Sequence, residues 1–412
     1  MGYFDKVTYR VVNSLGKTTG FIVKQDGREV YLSYYTVVNN IEYINNLTVD
    51  SNGVVRSKAG NLKCLSTSSV YKKLYDDLCK DNPLDRDIQH RLLEWKTDHT
   101  DDILLLLGVK YAGKRTELLK FAYSHYEQVI HLDLENDSVI KDFVNLVTNQ
   151  GAVCGIQEYC RKHQLEEFND SDKTIVILTD IQESPEIYNS IQSIKSQLHC
   201  DVALTVSYLG ISNVNDCEVS PKDFYEIELN TLCFDEFIKA TKKVKGIDAS
   251  KLKEDYCNIG GYPEVVMEYL KTGNLDDCQV ILKQLFNRIQ ATATYQFASF
   301  KHYELVNIVL YTVFIDNAKT DIEVKHTMYS LVNQILLRIP TYQGVSKQDV
   351  VSIISWLVKV KILNVGIRLN SLGVQFYFND CGIESYIAHN TGIDRDIISN
   401  VLSENFALIS NR

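Results

Sequence analysis

No run of apolar residues in this 412-residue sequence approaches the length needed to cross a bilayer, and the opening "MGYFDKVTYRVV" has neither the basic nor the hydrophobic segment of a leader. Lys6 stands where a myristoylation signal needs Ser or Thr, which argues against lipidation at Gly2. The ten cysteines, Cys64, Cys79, Cys154, Cys160, Cys200, Cys217, Cys233, Cys257, Cys278 and Cys381, are never spaced C-x-x-C. They read as reduced thiols, not as a metal site or a disulfide framework. Positive charge is also short. A formal net charge of -10 argues against a protein coated in nucleic acid, although a local basic patch stays open. What remains is a globular composition, 45% hydrophobic and 23% charged, in a chain long enough for two or three domains. The expectation is a cytoplasmic protein with no membrane contact.

The stretch "ILLLLGVKYAGKRTELLKFA", residues 103–122, carries the first chemical signal. Gly108 to Lys114 supplies the first seven positions of the phosphate-binding pattern G-x-x-x-x-G-K-[ST], and position eight is Arg115. The apolar run before it, residues 103–107, reads as a parallel strand covered on both faces. Leu118, Leu119, Ala122 and Tyr126 then recur at helical spacing. Glycines let such a loop curl so that its amides and the helix N-terminus face phosphate oxygens, while Lys114 neutralises their charge. The candidate cradle is therefore Gly108, Tyr111, Ala112, Gly113, Lys114, Arg115 and Thr116, with ATP or ADP as the ligand. The Ser/Thr hydroxyl missing at position eight normally ligates Mg²⁺, and a guanidinium has no lone pair to offer a cation. Two alternatives stay open: Arg115 is itself a phosphate ligand, or Thr116 takes the place of the missing hydroxyl through a shift of one residue.

Along the rest of the chain, residues 1–65 alternate apolar and polar positions around Asp-Gly and Asn-Gly turns and read as a small β-rich domain, with a short helix near Tyr34 to Tyr43. It is a candidate surface for a protein partner. Residues 66–98 read as a helical linker. Residues 99–232 alternate short apolar runs with helical stretches, the pattern of a parallel α/β sheet, with strands in "QVIHLDL", "KTIVILTD", "DVALTVS" and "FYEIEL". A helical domain over 233–335, a winged-helix-like domain over 336–380 and a helical tail over 381–412 complete the expected organisation. In the winged-helix-like part Ser346 and Asp349 resemble a capping box, and Val350, Val351, Ile354, Leu357 and Val358 make a stripe. Between Leu331 and Asp380 five Lys/Arg face two Asp, and Lys359, Lys361 and Arg368 are the candidates for DNA contact.

The strand "KTIVILTD" is the natural place for the acidic pair that holds Mg²⁺ and polarises the attacking water. It ends in Thr179, Asp180 and Ile181, so either register leaves one carboxylate where two are needed. After it, Ser184 is set to cap a helix with Pro185 at its first position and Ile187, Ile191, Ile194 and Leu198 as its buried stripe. "GVKYAGKRT", "LTDIQESPE", "LTVSYLG", "ELNTLCFDEF", "IGGYPEVV" and "FYFNDCGIESYI" follow one another in that order. In this succession the chain resembles the bacterial and archaeal AAA-type ATPases that carry a helical, winged-helix-containing C-terminal domain of uncharacterised function. The likeness spans about Asp101 to Phe406. It implies an α/β P-loop NTPase core of AAA type, with Thr179 on the family's metal-binding Asp and Asp180 on its catalytic Glu. Ser207 falls on the sensor that reads the terminal phosphate. Members often continue into a nuclease-like domain near "xxEN", whereas here Glu404 has no partner carboxylates downstream.

Three functions fit these residues. In the first, ATP or ADP is bound and hydrolysed weakly or not at all. In the second, Thr116 and Asp180 with waters hold Mg²⁺ for an active ATPase. In the third, the P-loop domain is a scaffold for a DNA-binding or adaptor protein.

Overall fold

The computed structural model describes residues 7–12, 18–25, 28–33, 47–49, 55–57, 75–76, 79, 82–98, 102–133, 137–162, 167–179, 181, 190–191, 193–206, 224–244, 246–296, 304–318, 328–339, 344–367, 374–390 and 395–410. Strands β1 (Val7–Val12), β2 (Thr18–Gln25) and β3 (Arg28–Ser33) form an antiparallel three-stranded sheet, and β4 (Leu47–Val49) pairs with β5 (Val55–Ser57). The short helix expected near residues 34–43 lies outside the described residues.

The centre of the molecule is a five-stranded parallel sheet of β6 (Ile103–Gly108), β7 (Gln128–Asp133), β8 (Thr174–Thr179), β9 (Asp201–Val206) and β10 (Phe224–Leu229), in the order β10-β6-β9-β8-β7. Successive strand residues point to opposite faces. Ile103 and Leu105 thus enter one apolar layer with Phe143 and Ile156, while Leu104 and Leu106 enter the other with Leu92, Trp95, Leu118 and Phe121. Both faces of β6, β8 and β9 are covered, which is why these strands are dominated by apolar residues, whereas the edge strand β10 mixes buried and exposed positions. Burying each of these leucines stabilises the fold by about 1.5–3 kcal/mol. The first layer includes helices α3 (Asp137–Gln150) and α4 (Ala152–Lys162), and the second α1 (Ile88–Asp98) and α2 (Lys114–His125). Helix α1, in the stretch the sequence suggested as a linker, packs into the sheet with Leu92 and Trp95 fully buried, and its Trp95 indole donates to the Asp102 carbonyl at 3.1 Å. Ile191, Ile194 and Leu198 are buried as expected, whereas Ser184, Pro185 and Ile187 lie outside the described residues.

The second half is helical: α5 (Phe234–Thr241), α6 (Leu252–Ile259), α7 (Pro263–Thr272), α8 (Leu275–Gln296), α9 (Glu304–Asn317), α10 (Met328–Arg338) and α11 (Lys347–Lys359). An antiparallel pair, β11 (Leu363–Ile367) and β12 (Val374–Phe378), precedes α12 (Cys381–His389) and α13 (Arg395–Ser410). The Ser346 hydroxyl accepts the Asp349 amide at 3.2 Å and the Asp349 carboxylate accepts the Ser346 amide at 2.7 Å, a complete capping box at the start of α11. The buried stripe of α11 is rotated slightly from the expected one. Ile353 and Trp356 join Val350, Ile354 and Leu357 inside, and Val351 and Val358 are only half-buried at its edge. One apolar core unites Val265 of α7, Leu285 of α8, Phe314 of α9, Leu357 of α11, Phe378 of β12 and Leu402 of α13. Val109 and Ala112 of the glycine-rich loop belong to that same core, so the loop sits where sheet and helices meet.

Candidate functional site

Strand β6 has β10 on one side and β9 on the other, and its C-terminal end opens into the glycine-rich loop, the position where open parallel sheets bind ligands. Gly108 takes φ +152°, and a Cβ there would lie 1.9 Å from the Leu229 carbonyl oxygen, so only glycine lets the loop leave β6 this close to β10. The amide of Ala112 donates to the Val109 carbonyl at 3.2 Å and closes the turn, in which Tyr111 adopts φ 70°. A non-glycine residue in this region is strained unless its surroundings hold it. They do: Tyr111 packs on the helical core, with the Arg288 guanidinium of α8 4.8 Å above its ring. Gly113 follows in the left-handed conformation as the N-cap of α2.

Lys114 is buried, and its ammonium donates to the Gly108 and Val109 carbonyls at 2.8 and 2.9 Å. Its head is therefore folded across the mouth of the loop. Glu117, one turn further on, is buried with it, but its carboxylate accepts from Lys120 at 3.0 Å and from Gln89 at 2.8 Å. The cradle residues Gly108, Tyr111, Ala112, Gly113, Lys114, Arg115 and Thr116 are thus brought together on one loop and the first turn of α2, with Arg115 and Thr116 half-buried.

The metal side is different. Thr179 ends β8, fully buried, and its hydroxyl lies 3.1 Å from Nε2 of His131 on β7 and 3.5 Å from the Leu132 carbonyl. Mg²⁺ takes oxygen ligands in near-octahedral array. A guanidinium at Arg115 and a threonine hydroxyl engaged within the sheet do not fit that requirement. Among the described residues no three His, Cys, Asp or Glu side chains are grouped to hold a metal ion. Asp180 and Ser207 lie outside the described residues.

Several residues that no local motif announces shape this region. His131 engages the Thr179 hydroxyl. Arg288, ion-paired with Glu264 of α7, covers Tyr111. Arg86, ahead of α1, donates to the Ala112 carbonyl at 3.0 Å. The "GGYPE" segment is fastened too: the Gly261 amide donates to Asp380 Oδ2 at 2.8 Å, and the Leu232 amide donates to the Gly261 carbonyl at 2.7 Å. A Cβ on Gly113 would stand 3.6 Å from Cγ of Pro263, which brings this segment against the loop. Of the candidates for DNA contact, Lys359 is exposed at the end of α11, Lys361 lies 4.0 Å from Glu228 of β10, and Arg368 is outside the described residues.

Among the described residues no helix is long and apolar enough to cross a membrane. No curated protein matches the chain by sequence. Among solved structures, the Aeropyrum pernix ORC1 protein in complex with DNA is similar at 14% identity and a TM-score of 0.31, over 80% of this chain and 96% of that one. The Thermotoga maritima RuvB Holliday junction branch migration motor is similar at 11% identity and a TM-score of 0.35, over 76% and 96%. AMPPCP-bound DnaA from Aquifex aeolicus is similar at 10% identity and a TM-score of 0.33, over 66% and 87%. The family model for the AAA domain matches residues 100–238, the segment that contains the parallel sheet and its glycine-rich loop. The core of this chain is an AAA-type P-loop domain.

Proposed function

We propose that the chain binds ATP or ADP at residues 108–116 and hydrolyses it weakly or not at all, the nucleotide serving as a structural or signalling ligand. One contrast supports this reading: the glycines and lysine of a phosphate cradle are present, whereas two positions expected to serve the metal are Arg115 and Thr179. Lys114, Gly108 and Gly113 stand at the end of β6 as phosphate binding requires, whereas Arg115 puts a fixed cation at position eight and Thr179 spends its hydroxyl on His131. Phosphate oxygens would draw the Lys114 ammonium off the two loop carbonyls, exchanging neutral acceptors for charged ones and so strengthening its hydrogen bonds. The half-buried Arg115 adds a second positive charge beside them.

Helix α11 with the β11/β12 pair supports reading residues 336–380 as a winged helix, and its apolar face in the common core supports packing as its role. From the sequence pattern alone we also propose that the strands before residue 58 belong to a small β domain that engages a protein partner, and that the protein is cytoplasmic. The test is mass spectrometry of nucleotide released from the purified chain, followed by calorimetry of ADP and ATP binding. Lys114→Ala is expected to weaken binding by about 1.5–3 kcal/mol, the range for hydrogen bonds to charged groups. Equal affinity in parent and variant would overturn the assignment.

A further inference from the structure

Residues 83–87, "PLDRD", lie along α5 and the turn after it, and their three charges meet three opposite ones. Asp85 pairs with Lys243, Arg86 with Glu236 and Asp87 with Lys239. The outer pairs are exposed and contribute little. The central pair is buried, and the Arg86 guanidinium uses three nitrogens on three separate acceptors. Nε donates to Glu236 at 3.0 Å, Nη1 to the Ala112 carbonyl at 3.0 Å and Nη2 to the Asn230 carbonyl at 2.7 Å. The Glu236 carboxylate is held in turn by the Asp87 amide at 2.9 Å and the Cys233 amide at 3.0 Å. A planar fork with fixed acceptors has little freedom to rotate, so the Ala112 carbonyl is held in one direction.

That carbonyl shares its peptide group with the Gly113 N–H. In a trans peptide the two point in opposite directions, and no cis bond occurs among the described residues. Turning the Ala112 carbonyl toward Arg86 therefore turns the Gly113 N–H away from it, and a charged donor on the carbonyl polarises the amide into a stronger hydrogen-bond donor. We infer that Arg86 is a positioning residue for the anion-binding loop: through the Ala112 carbonyl it orients and strengthens the Gly113 amide that faces phosphate. The inference rests on the nucleotide reading for its function, but the orientation it describes exists without ligand. It also makes α5 part of the site, because Glu236 fixes the arginine that fixes the loop.

A buried ion pair that only stabilises the fold would affect folding without a specific effect at Gly113. The experiment compares the full isotope-labelled chain with Arg86→Gln, Arg86→Lys and the double change Lys239→Ala with Lys243→Ala, recording the Gly113 amide resonance without nucleotide and ADP affinity by calorimetry. A lysine has one nitrogen and cannot span Glu236, Ala112 and Asn230 together, so Arg86→Lys reports the same loss if Arg86→Gln does not fold. The expected result is a displaced Gly113 resonance and affinity weakened by about tenfold or more in either Arg86 variant. In the lysine double variant the resonance is expected to stay in place, with affinity within about twofold of the parent. An unmoved Gly113 resonance in a folded Arg86 variant overturns the inference, as does an equal loss of affinity in the lysine double variant. A parent chain that binds no ADP overturns the nucleotide reading instead, and a displaced Gly113 resonance would then still uphold the Arg86 brace.

Discussion

Thr179 and His131 are joined across neighbouring strands, the threonine hydroxyl 3.1 Å from the imidazole Nε2, in a sheet that leaves Thr179 no exposed surface. In the AAA-type ATPases that the sequence resembles, this position holds the metal carboxylate. Here the Thr179 hydroxyl is engaged with a side chain of β7. Under the proposed function, Arg115 would disfavour the cation by charge and Thr179 would offer it no compensating anion.

Restoring both should therefore work better than restoring either. For Arg115→Thr and Thr179→Asp, Mg²⁺-dependent phosphate release is expected to rise little in the singles and by more than their product in the double. The coupling expected for neighbouring groups is about 0.5–3 kcal/mol. Phosphate release by parent, singles and double measures it. Robust turnover by the parent that the double does not improve would mean that Thr116 and Asp180 suffice.

Glu384 of α12 is fully buried, and neither carboxyl oxygen has a hydrogen-bond partner among the described residues. Burial pushes its carboxyl well above the usual range. The folded state therefore keeps this proton to higher pH than the unfolded state. The resulting stability is full below the ordinary value of 4.5 and is lost as pH rises through the folded pKa. Glu384→Gln removes the titration. Its unfolding free energy, measured in urea, is expected to gain on the parent from pH 5 to pH 8, by up to about 1.4 kcal/mol for each pH unit inside the window. A constant difference between the two pH values would contradict this.

Asp380 ties α12 to the loop's outer wall. Its carboxylate accepts the Gly382 amide at 2.9 Å, the Ile383 amide at 3.3 Å and, from the other side, the Gly261 amide. Burial still raises its pKa, with the three amides opposing. Asp380→Ala loses a helix cap and strands a buried amide, an expected cost of about 2–4 kcal/mol in urea unfolding. Because Gly261 adjoins Tyr262 and Pro263, ADP affinity should fall as well. Unchanged stability would show that the Gly261 amide finds another acceptor.

Duplex DNA is the other partner suggested by the sequence. With Lys361 4.0 Å from Glu228, Lys359 is left as the exposed cation among the described candidates. Fluorescence anisotropy with a labelled duplex is expected to give a log-log salt slope shallower than about -2, at roughly -0.9 for each neutralised phosphate. A steep slope abolished by Lys359→Ala would favour the DNA-binding reading.

The central strands of the parallel sheet were legible because residues 103–107 and 175–178 are apolar without interruption, as a strand covered on both faces demands. The loop was legible because its glycines and lysine lie within seven residues. Arg86 was not, since "DRD" looks like solvated charge and its acceptors stand 26, 144 and 150 positions away. A signal did exist: Lys239 on α5 and Lys243 in the turn after it are four residues apart, with Glu236 beside them, a charge pattern that mirrors Asp85, Arg86 and Asp87. The rotated stripe of α11 is not legible because helical spacing alone cannot tell which edge of a wide apolar face lies deepest; packing against α9 and α10 decides it.

The Gly261 amide finds its acceptor 119 residues further along the chain. During synthesis, which adds about 5–20 residues each second, the strands of the parallel sheet are all made once Leu229 has been added. The wall against which Gly113 packs cannot be fastened until Asp380 has followed. The loop is therefore among the first parts of the site to be made, and its outer boundary among the last to be secured. A nascent chain paused between these two points would present a finished sheet beside an unfastened lip.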